Sequence, residues 1–250
     1  MGHWYKTDGT LVDGADLRQA RKDHLFPSVT TILDILDKPG LTKWKLQVGA
    51  DEAERVGAET SAEGARLHEL ISRWINIYMV EDFVRPLELP GDDWETAAAV
   101  AEIAEDDVRL LGPTLEWMNE NISRTPLDPV MSEISLTHQS GYAGTIDVAC
   151  HDMEGRRMII DMKTRDIHTA PKRVKKYFEH GMQLGGYESL IDPSMADEHR
   201  WITLVINRDP DNPMCVPLEW SKKDKVRARR AFVATVMVWQ AIKDFDPAIP

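Results

Sequence analysis

The chain has 250 residues, 42% of them hydrophobic and 29% charged, which places it among ordinary globular proteins with enough apolar side chains for one core, and excludes low-complexity and collagen-like chains. Its formal net charge of −12 weighs against a nucleic-acid partner, since phosphate binding needs local positive potential. Cys150 and Cys215 lie far apart without metal-type spacing, so a disulfide framework and a cysteine-bound cluster are excluded and two reduced core thiols remain.

Residues 1–26 form a polar, weakly patterned segment. The stretch "FPSVTTILDIL" then opens a helix: Pro27 suits its first turn, Ser28 or Thr30 can cap it, and Ile32, Leu33, Ile35 and Leu36 recur at helical spacing. "KPG" ends it. Helices are expected over 41–56 and 61–79, the latter opened by a capping box from Thr60 to Glu63, and over 93–121, where Gly112-Pro113 should break or kink the chain. From residue 129 the pattern turns to alternation, and "VMSEISLTH", "GTIDVACHD" and "RRMIIDMKT" read as three strands. A helix over 171–191, a strand "RWITLVINR", an extended piece near "MCVPLEW" and a last helix over 221–245 follow. This order predicts an α+β fold, a sheet with helices packed on it. It divides the single folded unit into the segment 1–26, a helical part 27–128 and a sheet-bearing core 129–250. The longest apolar stretches fall well short of the roughly 20 residues that span a bilayer, and "MGHWYKTDGT" lacks a signal pattern, so a soluble, cytoplasmic protein is expected.

The loop "DMEGR" fits a three-residue hairpin connection, with Met153 and Glu154 in a type I turn and Gly155 as the left-handed residue. Asp152 then faces Arg156, and counting back along the ladder sets Asp147 across from Asp161, on the face that carries Lys163. Ile146, Val148 and Cys150 against Met158, Ile160 and Met162 form the opposite, core face. Opposed β-carbons lie roughly 5 Å apart, and like charges there destabilise a sheet unless a partner neutralises them. Mg²⁺ is such a partner: it prefers hard oxygen ligands, one or two carboxylates with water and substrate phosphate completing the shell. Lys163 reaches the same pocket, where it can polarise or deprotonate an attacking water, its proton affinity lowered beside cations, or stabilise charge on a phosphate. Metal, water and lysine together describe metal-assisted phosphodiester hydrolysis. The hairpin alone also allows a structural reading, in which one aspartate caps a strand end and the other pairs with Lys163 or Arg165.

Asp147, Asp161-Met162-Lys163 and the preceding Glu133 resemble the signature of the PD-(D/E)XK nuclease superfamily. Three further motifs are similar to those of its RecB-like exonuclease branch: "GARLH" (64–68) resembles Gly-x-x-x-His, "GTID" (144–147) Gly-x-x-Asp, and "QLGGY" (183–187) Gln-x-x-x-Tyr. Residues 27–44 are similar to the opening of phage exonucleases and of relatives of mitochondrial genome maintenance exonuclease, and the resemblance runs on to the last helix. It implies a restriction-endonuclease-like αβββαβ core, a central mixed sheet flanked by helices, with an N-terminal helical extension. It also implies a DNA exonuclease dependent on Mg²⁺ or Mn²⁺, with one or two ions, acting in recombination, repair or phage DNA processing. Under it His68, Asp147, Asp161 and the Met162 carbonyl hold metal, Lys163 is the catalytic lysine, and Glu133 serves a second ion or its water. Gln183 and Tyr187, four apart on one helical face, position DNA. The four cysteines of iron-sulfur members are missing, so no cluster is expected.

The distribution of charge answers the objection from its sum. Acid gathers in 51–120, including Glu102, Glu105, Asp106 and Asp107, whereas Lys172, Arg173, Lys175 and Lys176 open the helix after the catalytic strand and are expected to hold DNA phosphates. A second basic run comprises Lys222, Lys223, Lys225, Arg227, Arg229 and Arg230, and Trp44 and Trp74 are read as core. The expected partner is DNA with a free end or a single strand, alongside a recombination partner protein or further copies of the chain, and no membrane; a phage-encoded chain would act in the host cytoplasm. Two alternatives stay open: a structure-selective endonuclease on the same core, and a non-catalytic DNA-end-binding subunit.

Overall fold

Trp4 and Tyr5 interrupt the polar first segment, and both are buried. They form β1 (Trp4–Tyr5), which pairs antiparallel with β2 (Leu11–Val12) and β3 (Phe26–Pro27), with helix α1 (Leu17–Asp23) between the last two. Residues 2–26 are therefore folded rather than unpatterned. Trp4 lies 6.1 Å from Trp239 and 6.4 Å from Phe245 between ring centroids, a long-range contact that has no local periodicity to announce it. The structure is a computed structural model describing residues 2–81, 98–99, 101–124, 130–191 and 199–248.

Ser28 caps α2 (Val29–Leu33), its hydroxyl accepting from the Thr31 N–H, while Pro27 belongs to the preceding strand. α3 (Pro39–Val48) starts on its proline and buries no residue. The next boundary differs from expectation. Gly49, at φ +89°, separates α3 from α4 (Ala50–Trp74), which runs unbroken through Thr60 and Glu63. Those two residues are helix interior, because the breaker is the glycine and nothing between 50 and 74 disrupts the hydrogen-bond ladder. α4 continues into a π-helical turn, Ile75–Glu81. α5 (Glu105–Asn121) passes through Gly112-Pro113 without ending, so the proline does not break it; residues 93–97 and 100 of the expected helix lie outside the described residues.

β4 (Met131–His138), β5 (Tyr142–His151) and β6 (Arg157–Arg165) form an antiparallel meander. The chain then crosses over through α6 (Phe178–Ile191) to β7 (Arg200–Asn207), parallel to β6, and β8 (Cys215–Glu219) closes the edge antiparallel to β7. α7 (Lys222–Lys243) follows, capped by Ser221. The result is an α+β fold with a mixed five-stranded sheet in the order β4-β5-β6-β7-β8. The helix expected from residue 171 begins only at Phe178. Pro171–Arg173 makes one 3₁₀ turn, after which Val174 is extended and packs with Ile167, Val205 and Val216 on the sheet.

Helices cover both faces. Leu67, Ile71 and Trp74 of α4 and Leu111, Leu115 and Met118 of α5 pack on Val148, Met158, Ile160 and Leu204. On the other face Val29 and Ile32 of α2, Leu184 and Tyr187 of α6 and Phe232 of α7 pack on Ile146, Ile159 and Trp201. Ile146 thus faces away from Val148 and Cys150, against the expected single core face. Residues two apart on a regular strand share a side, so alternation reverses at Asp147. The β4–β5 ladder pairs Ser132 with Val148 and Ile134 with Ile146 but skips Glu133 and Asp147, and Glu133 sits at φ +53°. Among the described residues no helix is long and apolar enough to cross a membrane.

Candidate functional site

The hairpin has the geometry that its loop residues dictate. Gly155 is left-handed at φ +75°, the Asp152 N–H donates to the Arg156 carbonyl at 2.9 Å, and the ladder runs from His151 opposite Arg157 to Val148 opposite Ile160. There the regular pairing ends. The Met162 N–H donates to Asp147 Oδ2 at 2.6 Å, a carboxylate in place of a main-chain acceptor. Asp147 and Asp161 are both buried, and Lys163 Nζ lies 2.8 Å from Asp161 Oδ1. Asp161 Oδ2 is buried with no hydrogen-bond partner.

Helix α4 brings His68 to this point. A Cβ at Gly64 would stand 3.0 Å from Thr164 Oγ1, so only glycine lets the helix come this near β6 without displacing that side chain. One turn on, His68 Nδ1 is 3.8 Å from Asp147 Oδ1, and the ring hydrogen-bonds to the Met162 main chain. The potential ligand atoms of His68, Glu133 and Asp147 all lie within 4.8 Å of one another. Of the expected ligand set, then, His68 and Asp147 are joined by Glu133 rather than by Asp161, which stands beside them paired to Lys163. Glu133 reaches the group through its left-handed backbone, a conformation that costs a non-glycine residue about 1 kcal/mol or more.

The electrostatics are those of a site short of positive charge. Burial raises the Asp147 carboxyl above its ordinary value, with Lys163 opposing. Burial also raises Asp161, where Lys163 opposes and the Asp147 charge adds to the rise. Glu133, although exposed at the surface, is pushed up to about 7 by partial desolvation and by Asp147. His68 is lowered by burial and by Lys163, which leaves a neutral imidazole with a lone pair to offer. Burial alone would lower Lys163 as well, but Asp161 and Asp147 outweigh it and hold the group above its ordinary value. Lys163 is consequently an ammonium that donates and neutralises. Three carboxylates against one ammonium, a neutral imidazole and an orphaned carboxylate oxygen fit a hard divalent cation, with the imidazole better suited to Mn²⁺ than to Mg²⁺.

Gln183 and Tyr187 lie beside the carboxylates but are themselves buried. Gln183 Nε2 donates to the Tyr187 hydroxyl at 2.7 Å, and Asp147 and Asp161 add to the burial that raises that hydroxyl well above its ordinary value. Gly144 makes room for the ring: a Cβ there would be 2.9 Å from Tyr187 Cε1. The pair therefore walls the site in this state instead of presenting itself to a ligand. Lys172, Arg173 and Lys175 are exposed on the loop before α6, whereas Lys176 donates to the Glu219 carbonyl and rests over Trp220, pinned to β8. In the second basic run Lys225 and Arg229 turn inward, to the His199 carbonyl at 2.6 Å and to Glu188 at 2.5 Å. Trp74 is core, but Trp44 is only half-buried on α3.

Two residues near the site escaped the sequence analysis. The Tyr5 hydroxyl is 2.9 Å from Thr145 Oγ1, and the Glu133 charge adds to the burial that raises it; its sole signal was an aromatic pair in a polar stretch. His180 has a buried Nδ1 with no partner and is driven down to about 3 by burial and by Lys163, Arg165 and Lys38; its sole signal was a place one turn before Gln183.

No protein-family model matches the chain, and no curated protein matches it. Among solved structures, SSO0001 superposes with a TM-score of 0.34 at 16% sequence identity, covering 86% of this chain and 76% of that one. A superposition at that level supports no argument about function.

Proposed function

We propose that the chain is a metal-dependent nuclease with a PD-(D/E)XK-type core, hydrolysing DNA phosphodiesters as an exonuclease in recombination, repair or phage genome processing. The observation that carries this reading is the convergence of His68, Glu133 and Asp147 from α4, β4 and β5, whose potential ligand atoms lie within 4.8 Å of one another, beside a buried Asp161 on β6 that pairs one oxygen with Lys163 at 2.8 Å and leaves the other without a hydrogen-bond partner. The helix, three-strand, helix, strand order supports the fold assignment.

His68, Asp147 and Glu133 would hold Mg²⁺ or Mn²⁺, with Asp161 beside them carrying an unpartnered oxygen. The bound ion would supply Lewis acidity and a water of lowered pKa. Lys163 donates to a phosphate oxygen or orients the attacking water, and Asp161 holds its Nζ in place. The Met162 N–H fixes the Asp147 carboxylate, and Tyr187 with Gln183 keeps bulk water from the inner side.

Asp161→Ala and Lys163→Ala should each lower Mn²⁺-dependent nucleotide release from end-labelled DNA by at least about 10²-fold while leaving the circular dichroism spectrum unchanged. Either variant cleaving at the wild-type rate sinks the reading. A closed circular single strand tested beside a linear one separates exonuclease from endonuclease action, because only the latter cuts the circle.

A further inference from the structure

Beside Lys163 the surface opens into a cleft of about 580 Å³ between residues 37–41, which lead into α3, and residues 177–180, which open α6. That volume lies in the usual range of ligand sites. Two residues of its wall, Glu179 and His180, interact electrostatically with Lys163 of the carboxylate site. Lys38 Nζ bonds Glu179 at 3.0 Å between the two walls.

Its walls present two aromatic rings and set Asp37 and Glu179 against Lys38, which bonds both Asp34 and Glu179, so the positive charge lies on the flanks. Tyr177 is 52% exposed and Phe178 37%, whereas the other large rings among the described residues are mostly core. Both are steadied from one side. Arg165 stands 5.3 Å from the Tyr177 ring centre, His180 meets that ring edge-on at 5.5 Å, and Arg227 stands 4.7 Å from the Phe178 ring centre. The flanks invert the sign of the whole chain. Residues 38–48 carry Lys38, Lys43 and Lys45 with no acid, and residues 163–176 carry six lysines and arginines against Asp166 alone. Exposed rings between basic flanks are the recipe for sequence-tolerant capture of unpaired bases, since every base has a π-face to stack and a phosphate to neutralise. In a duplex those faces are covered by neighbouring bases.

We propose that this cleft binds the unpaired nucleobases of a single strand, stacked on Tyr177 and Phe178 with phosphates held by the flanking basic residues, so that single-stranded nucleic acid is the form delivered to the carboxylates. The proposal deepens the nuclease reading and rests on it for the direction of delivery.

The test is fluorescence anisotropy with the full chain and chelator, so that nothing is cut. The probes are an end-labelled oligothymidylate of about 12 nucleotides, an abasic strand of equal length and charge, and a duplex. Thymidylate should bind on the order of 10-fold more tightly than the abasic strand and than the duplex. Tyr177→Ala should remove that advantage without weakening abasic binding, and Tyr177→Phe should keep it, because stacking needs the ring and not the hydroxyl. Equal binding of thymidylate and abasic strands, equal weakening of both by Tyr177→Ala, or tighter duplex binding overturns the proposal. Cleavage with Mn²⁺ is scored separately on the same proteins. Cleavage without base-dependent binding removes the cleft and spares the nuclease; base-dependent binding without cleavage does the reverse.

Discussion

Replacing Gly144 by alanine would test the packing that seats the carboxylates. The new Cβ would lie 2.9 Å from Tyr187 Cε1, 3.3 Å from Tyr187 Cδ1 and 3.2 Å from Leu190 Cδ1. The first distance is shorter than carbon atoms tolerate, so the ring must move. It cannot swing freely, being 5% exposed and tied through its hydroxyl to Gln183. Overpacking a filled core typically costs 1–3 kcal/mol, and a clash concentrated on one ring that must shift by a few tenths of an ångström belongs near the middle, about 2 kcal/mol. For a chain of this length that lowers Tm by about 4–8 °C. The assay is thermal denaturation of wild type, Gly144→Ala, Tyr187→Leu and the double variant. Without the ring, alanine at 144 loses its shortest contact, so the two substitutions should couple by about 1 kcal/mol or more. An alanine cost that is the same in both backgrounds, or no cost in the first, refutes the account of why a glycine stands there.

Asp152 accepts from the Glu154 and Arg156 N–H groups and from the Arg156 and Arg200 guanidinium groups. Burial opposes its charge, but the Arg156 main chain and the Arg200 and Arg156 side chains outweigh that and hold the carboxyl at about 2, below its reference value of 3.8. The stability this supplies is present above the unfolded pKa and is lost as pH falls through the folded one, so Asp152→Asn should cost about 2 kcal/mol at pH 7 and about half that at pH 3 in urea denaturation; a gap that ignores pH contradicts it. Glu133 has the opposite sign. Its folded pKa of about 7 exceeds the reference value of 4.5, so in chelator its charge undermines the fold as pH rises through that window, and Glu133→Gln should raise Tm at pH 8 but not at pH 4. A stabilisation of equal size at both values would assign the effect to something other than ionisation. Mn²⁺ at a hundredfold excess over its Kd should stabilise the wild type by about 2.7 kcal/mol and Asp147→Asn far less, and equal shifts would take Asp147 out of the cation site.

The sequence by itself determined the α+β class and the hairpin. A three-residue loop with glycine in its last place admits one register, and a period of two then assigns Met158, Ile160 and Met162 to one face and Asp161 and Lys163 to the other. Gly64 and Gly144 were legible only as motif positions, and the close approaches of Thr164 and Tyr187 that they permit were not. Only the tertiary structure decided that alternation reverses at Asp147, that Glu133 joins His68 and Asp147 while Asp161 turns to Lys163, and that Tyr5 and His180 border the site. The reason is one of range. Turn chemistry and strand periodicity are settled within a few residues of chain, whereas a left-handed glutamate, or the choice a carboxylate makes between an imidazole and an ammonium, depends on where α4, β1 and α6 come to rest against the sheet.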